Sequence, residues 1–300
     1  MAADSYIPQA FTVQYESTFD LALQQQSSLI RPRVTIMNKG GERVRLNNLG
    51  EATPTIITTR AGATVADDIP EDFVSIFPVA AQHTHLKSEF DDAYLGEVSL
   101  PGSDVSMTQA YAINRFIDDQ IVAAMTGSRW TGKHGTTEDT SFSSTQQVAV
   151  DFEDGSTNTG LTFEKIAEAA YRLDTDEVPS ENRFLGIRAK QMQDLVDDIL
   201  ANHSTDMGSI VMLEGSKVIK QILGFTVVQA QRFAVDGNDI ASVIAWQKSQ
   251  VVLNLWQDRK SYADIRADLS HAFQLRTTIS VGATRRRNEG VVEILCDESP

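Results

Sequence analysis

Gly127-Ser128-Arg129-Trp130-Thr131-Gly132-Lys133 sets two glycines and a lysine at the spacing of a phosphate-binding loop. In such a loop the backbone N–H groups and the lysine cradle the phosphates. Here the residue after the lysine is His134, where a Ser or Thr hydroxyl should hold magnesium. The context is also inverted, because the segment follows a helical pattern and leads into polar chain. A loop that ends a helix is the stronger reading, with nucleotide binding as an alternative. His83-Thr84-His85 puts two imidazoles on one face of a strand, near Glu89, Asp91 and Asp92. A zinc site needs three or four ligands, so two histidines in a half-exposed strand are the simpler reading. The acid groups Asp174, Asp176, Glu177 and Asp151, Glu153, Asp154 lack the glycine and terminal glutamate of a calcium loop. No Gly-x-Ser-x-Gly elbow is present. Cys296 is the only cysteine, which excludes an intrachain disulfide and a thiolate zinc site. It reads as a small buried apolar residue. Arg285-Arg286-Arg287 is the only basic run, and at a hairpin tip it reads as a contact to a neighbouring chain. These residues predict no enzyme, no metal and no cofactor.

Composition points the same way. The net charge of -15 argues against gripping nucleic acid, which needs a basic footprint. It suits a surface that lies near DNA without sticking to it, or simple solubility. No run approaches the roughly 18 apolar residues of a membrane helix. Met1 to Tyr6 shows neither a basic nor an apolar leader region, so synthesis in the cytoplasm is expected, and the sequon at Asn202 has no role.

The elements must position whatever function exists. Glu16 to Leu29 predicts a short helix, with Phe19, Ala22, Leu23 and Gln26 on one face. Val34, Ile36 and Val44, Leu46 flank the turn signal Asn38-Lys39-Gly40-Gly41 and predict a hairpin. Arg31, Arg33, Arg43 and Arg45 project from it. Thr53 to Thr59 favours strand, and Asp67 to Asp72, broken by Pro70, favours loop. Residues 30–85 hold too little apolar mass for a core of their own, so this arm is expected to lie on a partner. After Pro101-Gly102, residues Ile113, Phe116, Ile117, Ile121, Ala124 and Met125 recur at helical spacing, and Gly127 ends the helix. Thr162 caps another helix, and a third carries Met192, Leu195, Val196, Ile199 and Leu200. Gly215 to Leu223 predicts a short helix. Phe184 to Ile187, Phe225 to Gln229 and Ala241 to Trp246 predict strands. Phe273 to Val281 alternates as a half-buried strand, turned by residues 287–290 into Val291 to Leu295. The fold class is α+β.

Four stretches carry a family resemblance. They are Leu23-Gln24-Gln25-Gln26-Ser27-Ser28-Leu29, the segment Lys87 to Met125 around Ile113-Asn114-Arg115-Phe116-Ile117-Asp118-Asp119, the loop Thr126 to Lys133, and Gly282-Ala283-Thr284-Arg285 with Val291 to Asp297. Together the chain resembles the major capsid proteins of tailed bacteriophages, from about Val13 to Asp297. The resemblance implies the Johnson fold, with an N-arm, an E-loop hairpin, a peripheral domain with a long spine helix, and an axial domain. It places the N-terminal arm at 1–29, the E-loop region at 30–85, the peripheral domain at 86–185, the axial domain at 186–260 and the returning C-terminal strands at 261–300. It implies a shell subunit that forms hexamers and pentamers of an icosahedral head around double-stranded DNA, in the virion, assembled in the host cytoplasm. Separate scaffolding and portal proteins, and optionally a cement protein, would be its partners, with no membrane. Arg31, Arg33, Arg43, Arg45, Arg60, Arg285, Arg286 and Arg287 would meet neighbouring subunits. An encapsulin-like nanocompartment shell is the alternative on the same fold.

Overall fold

The computed structural model describes residues 24–56, 60, 68–88, 102–139, 142–152, 155, 157–202 and 219–298. In chain order the elements are β1 (Thr35–Met37), β2 (Val44–Leu49), β3 (Glu71–Ile76), β4 (Val79–Lys87), α1 (Gly102–Thr126), β5 (Arg129–Thr131), β6 (Thr137–Asp139), β7 (Gln147–Val148), α2 (Phe163–Thr175) and β8 (Arg183–Ile187). Then come α3 (Ala189–Asn202), β9 (Gln221–Ile222), β10 (Phe225–Gln229), β11 (Ile240–Gln247), β12 (Val251–Arg266), β13 (Ala272–Arg285) and β14 (Val291–Asp297). The chain divides into two compact units, one of residues 1–26, 81–113 and 259–279, the other of 27–80, 114–258 and 280–300.

In the first unit, α1 and β13 meet through polar groups. Gln109 is buried, donates to the Leu275 carbonyl at 3.0 Å and accepts from Thr277 Oγ1 at 2.9 Å. A buried amide must be satisfied in this way, since an unmade bond costs about 1–3 kcal/mol.

The larger core lies in the second unit. Six strands run in the order β7-β14-β11-β8-β10-β9. Strands β8 and β10 pair in parallel, with Phe225 opposite Arg183, while β11 is antiparallel to both β8 and β14. One face of the sheet offers Leu185, Ile187, Val243, Ala245, Val292 and Ile294. Helix α2 sets Ile166, Ala169 and Leu173 against it, and α3 sets Met192, Leu195 and Ile199. Each of the buried Val, Leu, Ile and Met side chains among them contributes about 1.5–3 kcal/mol. Thr162 caps α2 by accepting from the Lys165 N–H, as its position predicts.

A second sheet runs β2-β3-β5-β6, and a third runs β1-β12-β13-β4. Val44, Leu46, Val74, Ile76 and Val252 form a separate apolar cluster, with Met37 and Trp256 against it.

Several expectations need correction. β1 and β2 do not form a hairpin. β1 runs parallel to β12, with Thr35 opposite Val252, and β2 pairs with β3, with Val44 opposite Ile76. The Asn38 to Gly41 signal marks a bend between two sheets, and local turn chemistry cannot name the strand's partner. Residues 30–85 are also not coreless. Ile30, Val34, Val44, Leu46, Val74 and Ile76 are all buried, four of them with Val252 from a distant strand. The arm as a whole therefore has no need to clasp another chain for want of a core. Residues 71–72 belong to β3 rather than to a loop, and 53–56 are irregular. Residues 24–29 are not helical, and 221–222 form β9 where a helix was expected. The remaining parts of those predictions, at 16–23, 57–59 and 215–218, lie outside the described residues.

Candidate assembly surface

Strand β2 alternates strictly, with Val44, Leu46 and Asn48 buried and Arg45, Asn47 and Leu49 exposed. This alternation seats one face of the β2–β3 ribbon on the body. Its far end is fastened by the C-terminal hairpin. Asn48 Nδ2 donates to the Arg286 carbonyl at 3.1 Å, and Arg287 Nη2 donates to the Leu49 carbonyl. Arg129 Nη1 reaches the same Arg286 carbonyl at 3.3 Å, while its Nε pairs with Asp139 at 2.8 Å. Beyond Leu49 the two strands close once more, with Gly50 N–H donating to the Pro70 carbonyl at 2.7 Å. A β-carbon at Gly50 would stand 2.6 Å from Pro70 Cγ, so only glycine fits there. At this closure and outward of it, described apolar side chains are bare. Leu49 is 59% exposed, Ile56 84% and Ile69 47%.

The predicted arginines fall into distinct places. Arg31 pairs with Asp258 at 3.3 Å, and Arg33 donates to the Leu29 carbonyl. Arg45 lies 4.4 Å over the Phe73 ring and donates to Asn47 at 3.1 Å. Arg43 is half-buried, while Arg60 and Arg287 are exposed. Arg285 is different, because it is fully buried inside the chain. Its Nε donates to Asn288 at 2.7 Å, its Nη1 donates to the Gly127 carbonyl just beyond α1, and the guanidinium sits 5.2 Å from the Phe142 ring. Burial, then the neighbouring Arg129 charge, pushes its pKa down to about 10. A side chain so enclosed has no face to offer a neighbour, so Arg285 is corrected from an outward contact to an internal brace. Arg286 is half-buried, and the exposed tip begins at Arg287.

The chain at Ser28 to Ile30 is tied to α1 by Asp118, a residue of the Ile113 to Asp119 motif. Asp118 on α1 is fully buried. Its carboxylate accepts from Ser28 Oγ, from Leu29 N–H at 3.0 Å and from Ile30 N–H at 3.2 Å. The next residue, Asp119, makes a bidentate pair with Arg232. That carboxylate, chiefly by its hydrogen bond, raises the Arg232 pKa. No local signal marks Asp118 out, because the N–H groups that it accepts from lie 89 and 88 residues away in sequence.

The chemical candidates are not brought together. Gly127 ends α1 by donating to the Ala123 carbonyl at 2.9 Å. Residues 129–139 form the β5–β6 hairpin, with Trp130 opposite Glu138, so the would-be phosphate loop is a strand and turn. Lys133 is exposed on that turn. His83 is exposed and His85 half-buried on β4, while Glu89, Asp91 and Asp92 lie outside the described residues. No group of three or more His, Cys, Asp or Glu among the described residues is arranged to hold a metal ion. Asp174 pairs with Arg183 at 2.7 Å, and Asp176 accepts from Gln146 at 2.6 Å, so both brace the end of α2. Cys296 is buried, and burial pushes its thiol up to about 12. Among the described residues no helix is long and apolar enough to cross a membrane.

A family model described as phage capsid protein matches residues 7–298. Solved structures share the fold at low identity. The capsid of Ralstonia phage GP4 superposes with a TM-score of 0.70 at 11% identity, covering 100% of this chain and 99% of that one. The acid-stable capsid of Helicobacter pylori bacteriophage KHP30 gives 0.71 at 10% identity, over 100% and 99% of the two chains. Mycobacterium phage Che8 gives 0.67 at 16% identity, over 95% and 96%. None of the curated proteins matches. The expected Johnson-type α+β fold is thus the observed one.

Proposed function

The chain belongs to the phage capsid protein family and is a structural protein of the virion, and on that premise we propose how it builds a shell. Subunits pack into hexamers and pentamers of an icosahedral head around double-stranded DNA, assembling in the host cytoplasm with separate scaffolding and portal proteins. The subunit itself performs no catalysis. The parts divide as an N-arm at 1–29, an E-loop region at 30–85, a peripheral domain at 86–185, an axial domain at 186–260 and C-terminal strands at 261–300. Within the E-loop region the segment that meets a neighbour is the ribbon end, residues 49–70.

One observation carries this reading. The ribbon is pinned at its far end by Asn48 and Gly50, while Leu49 between them, and Ile56 and Ile69 beyond, are bare at 59%, 84% and 47% exposure. Apolar side chains held out on a fixed ribbon gain by being covered. Arg45, Arg60 and Arg287 stand around that ribbon, and such rim charges set register more than affinity. Each pair is worth about 0–1 kcal/mol, and repetition through a closed shell supplies the stability. The net charge of -15 keeps packaged DNA from adhering.

The test is Leu49→Asp and Ile56→Asp, separately and together. Shells should fail to form while circular dichroism and the melting temperature stay unchanged. Full assembly of the double variant would remove the ribbon from the interface. The nanocompartment and nucleotide-loop readings are not favoured, the second because Lys133 lies on a hairpin turn.

A further inference from the structure

Lys165, on the first turn of α2, is fully buried. Lysine is almost never found so deep without partners. Here the Nζ donates to four backbone carbonyls, Val150 at 2.9 Å, Thr159 at 2.8 Å, Gly160 at 3.0 Å and Leu295 at 3.2 Å. An ammonium has three N–H donors, yet four oxygens converge on it. A surplus of converging carbonyls is coordination geometry, the kind that replaces the water shell of a potassium ion in carbonyl-lined sites.

We propose that this cage is a monovalent-cation site that the chain fills with its own tethered ammonium. The oxygen distances of 2.8–3.2 Å are too long for magnesium, at about 2.0–2.1 Å, or calcium, at about 2.3–2.6 Å. They suit ammonium or potassium. The cage is also built by bonds that do not involve the lysine. The Val150 carbonyl accepts from Thr159 N–H at 3.1 Å, and the Thr159 carbonyl accepts from Asp297 N–H at 3.0 Å. Two of the four oxygens are therefore held in place when the side chain is cut back. The site joins the segment after β7, the entry to α2 and strand β14 through one positive charge. Tethering that charge makes the join independent of the salt around the protein.

The experiment is thermal unfolding of the full chain carrying Lys165→Ala, in chlorides of equal ionic strength. In tetramethylammonium, too large for the cage, the midpoint should fall by about 5–10 °C, as expected for buried acceptors stripped of their charge. Ammonium or potassium should restore most of the loss with a saturable dependence on concentration. Wild type should respond alike to every salt. Lys165→Met fills the stem's channel without a charge, and should melt low and ignore ammonium. If Lys165→Ala does not yield soluble protein, refolding yield reads the same question, with ammonium expected to exceed tetramethylammonium. Equal behaviour of Lys165→Ala in all the salts, by midpoint or by yield, would overturn the proposal. So would a response of Lys165→Met to ammonium.

Discussion

Replacing Asp118 with alanine should detach the entering chain from the spine helix. The carboxylate is fully buried and takes two backbone N–H groups, Leu29 at 3.0 Å and Ile30 at 3.2 Å, as well as the Ser28 hydroxyl. Removing it leaves two donors without that acceptor in a dry place, at about 1–3 kcal/mol each. Water reaching the half-buried Leu29 end offsets part of this, so the net loss is about 2–5 kcal/mol. For a chain of 300 residues that lowers the melting midpoint by roughly 3–8 °C. Asp118→Asn keeps one oxygen acceptor but loses the charge, and should cost about half as much. Ser28→Ala removes only the hydroxyl and should cost about 1 kcal/mol. The assay is thermal unfolding with limited proteolysis, since a local release exposes the chain before Ile30 to cleavage ahead of global unfolding. The order alanine, asparagine, Ser28→Ala is the prediction. A midpoint for Asp118→Ala within a degree of wild type, with an unchanged cleavage pattern, would refute the reasoning.

Two further outcomes follow from burial. Cys296 holds its proton up to about 12 because burial disfavours the thiolate, with Lys165 opposing more weakly. In the unfolded chain the thiol titrates near its ordinary value, so folding retains a proton that unfolding releases at high pH. Its contribution to stability is complete below about 9 and fades as pH rises toward about 12. A thiol reagent at pH 8 should label it only at the rate of unfolding, and fast labelling of the native protein would contradict its burial. Gly186→Ala should be severe, because a β-carbon there would stand 2.0 Å from Phe233 Cζ. We expect a loss of about 3 kcal/mol or more, measured by urea unfolding, and a neutral effect would mean the loop bearing Phe233 yields freely.

Helices and strands with a clean period were legible in advance. The spacing of Ile113, Ile117 and Ile121 gives α1, Gly127 ends it, and Phe225 to Gln229 is a strand as expected. The failures share a cause, which is that pairing partners are distant in sequence. Nothing near Val34 or Val44 announces that one strand joins β12 and the other β3. The Arg285-Arg286-Arg287 run looked uniformly exposed, yet β13 continues through Arg285 and carries it inside. Alternation misled at the other end of the same strand. Phe273 shares its parity with Thr277 and Ile279, but it is 40% exposed, because period alone does not say how far a covering element extends. Asp118 and Lys165 could not be ranked among so many charges, since what sets them apart is convergence of backbone from remote segments. The shell reading survives the loss of one of its original arguments because family membership carries it independently.

Electron cryomicroscopy of the purified chain under assembly conditions tests the account most directly. It should show closed icosahedral shells in which residues 49–70 of one subunit lie on the next, with Leu49, Ile56 and Ile69 covered. Particles in which those side chains face solvent, or a protein that stays monomeric under every assembly condition, would contradict it.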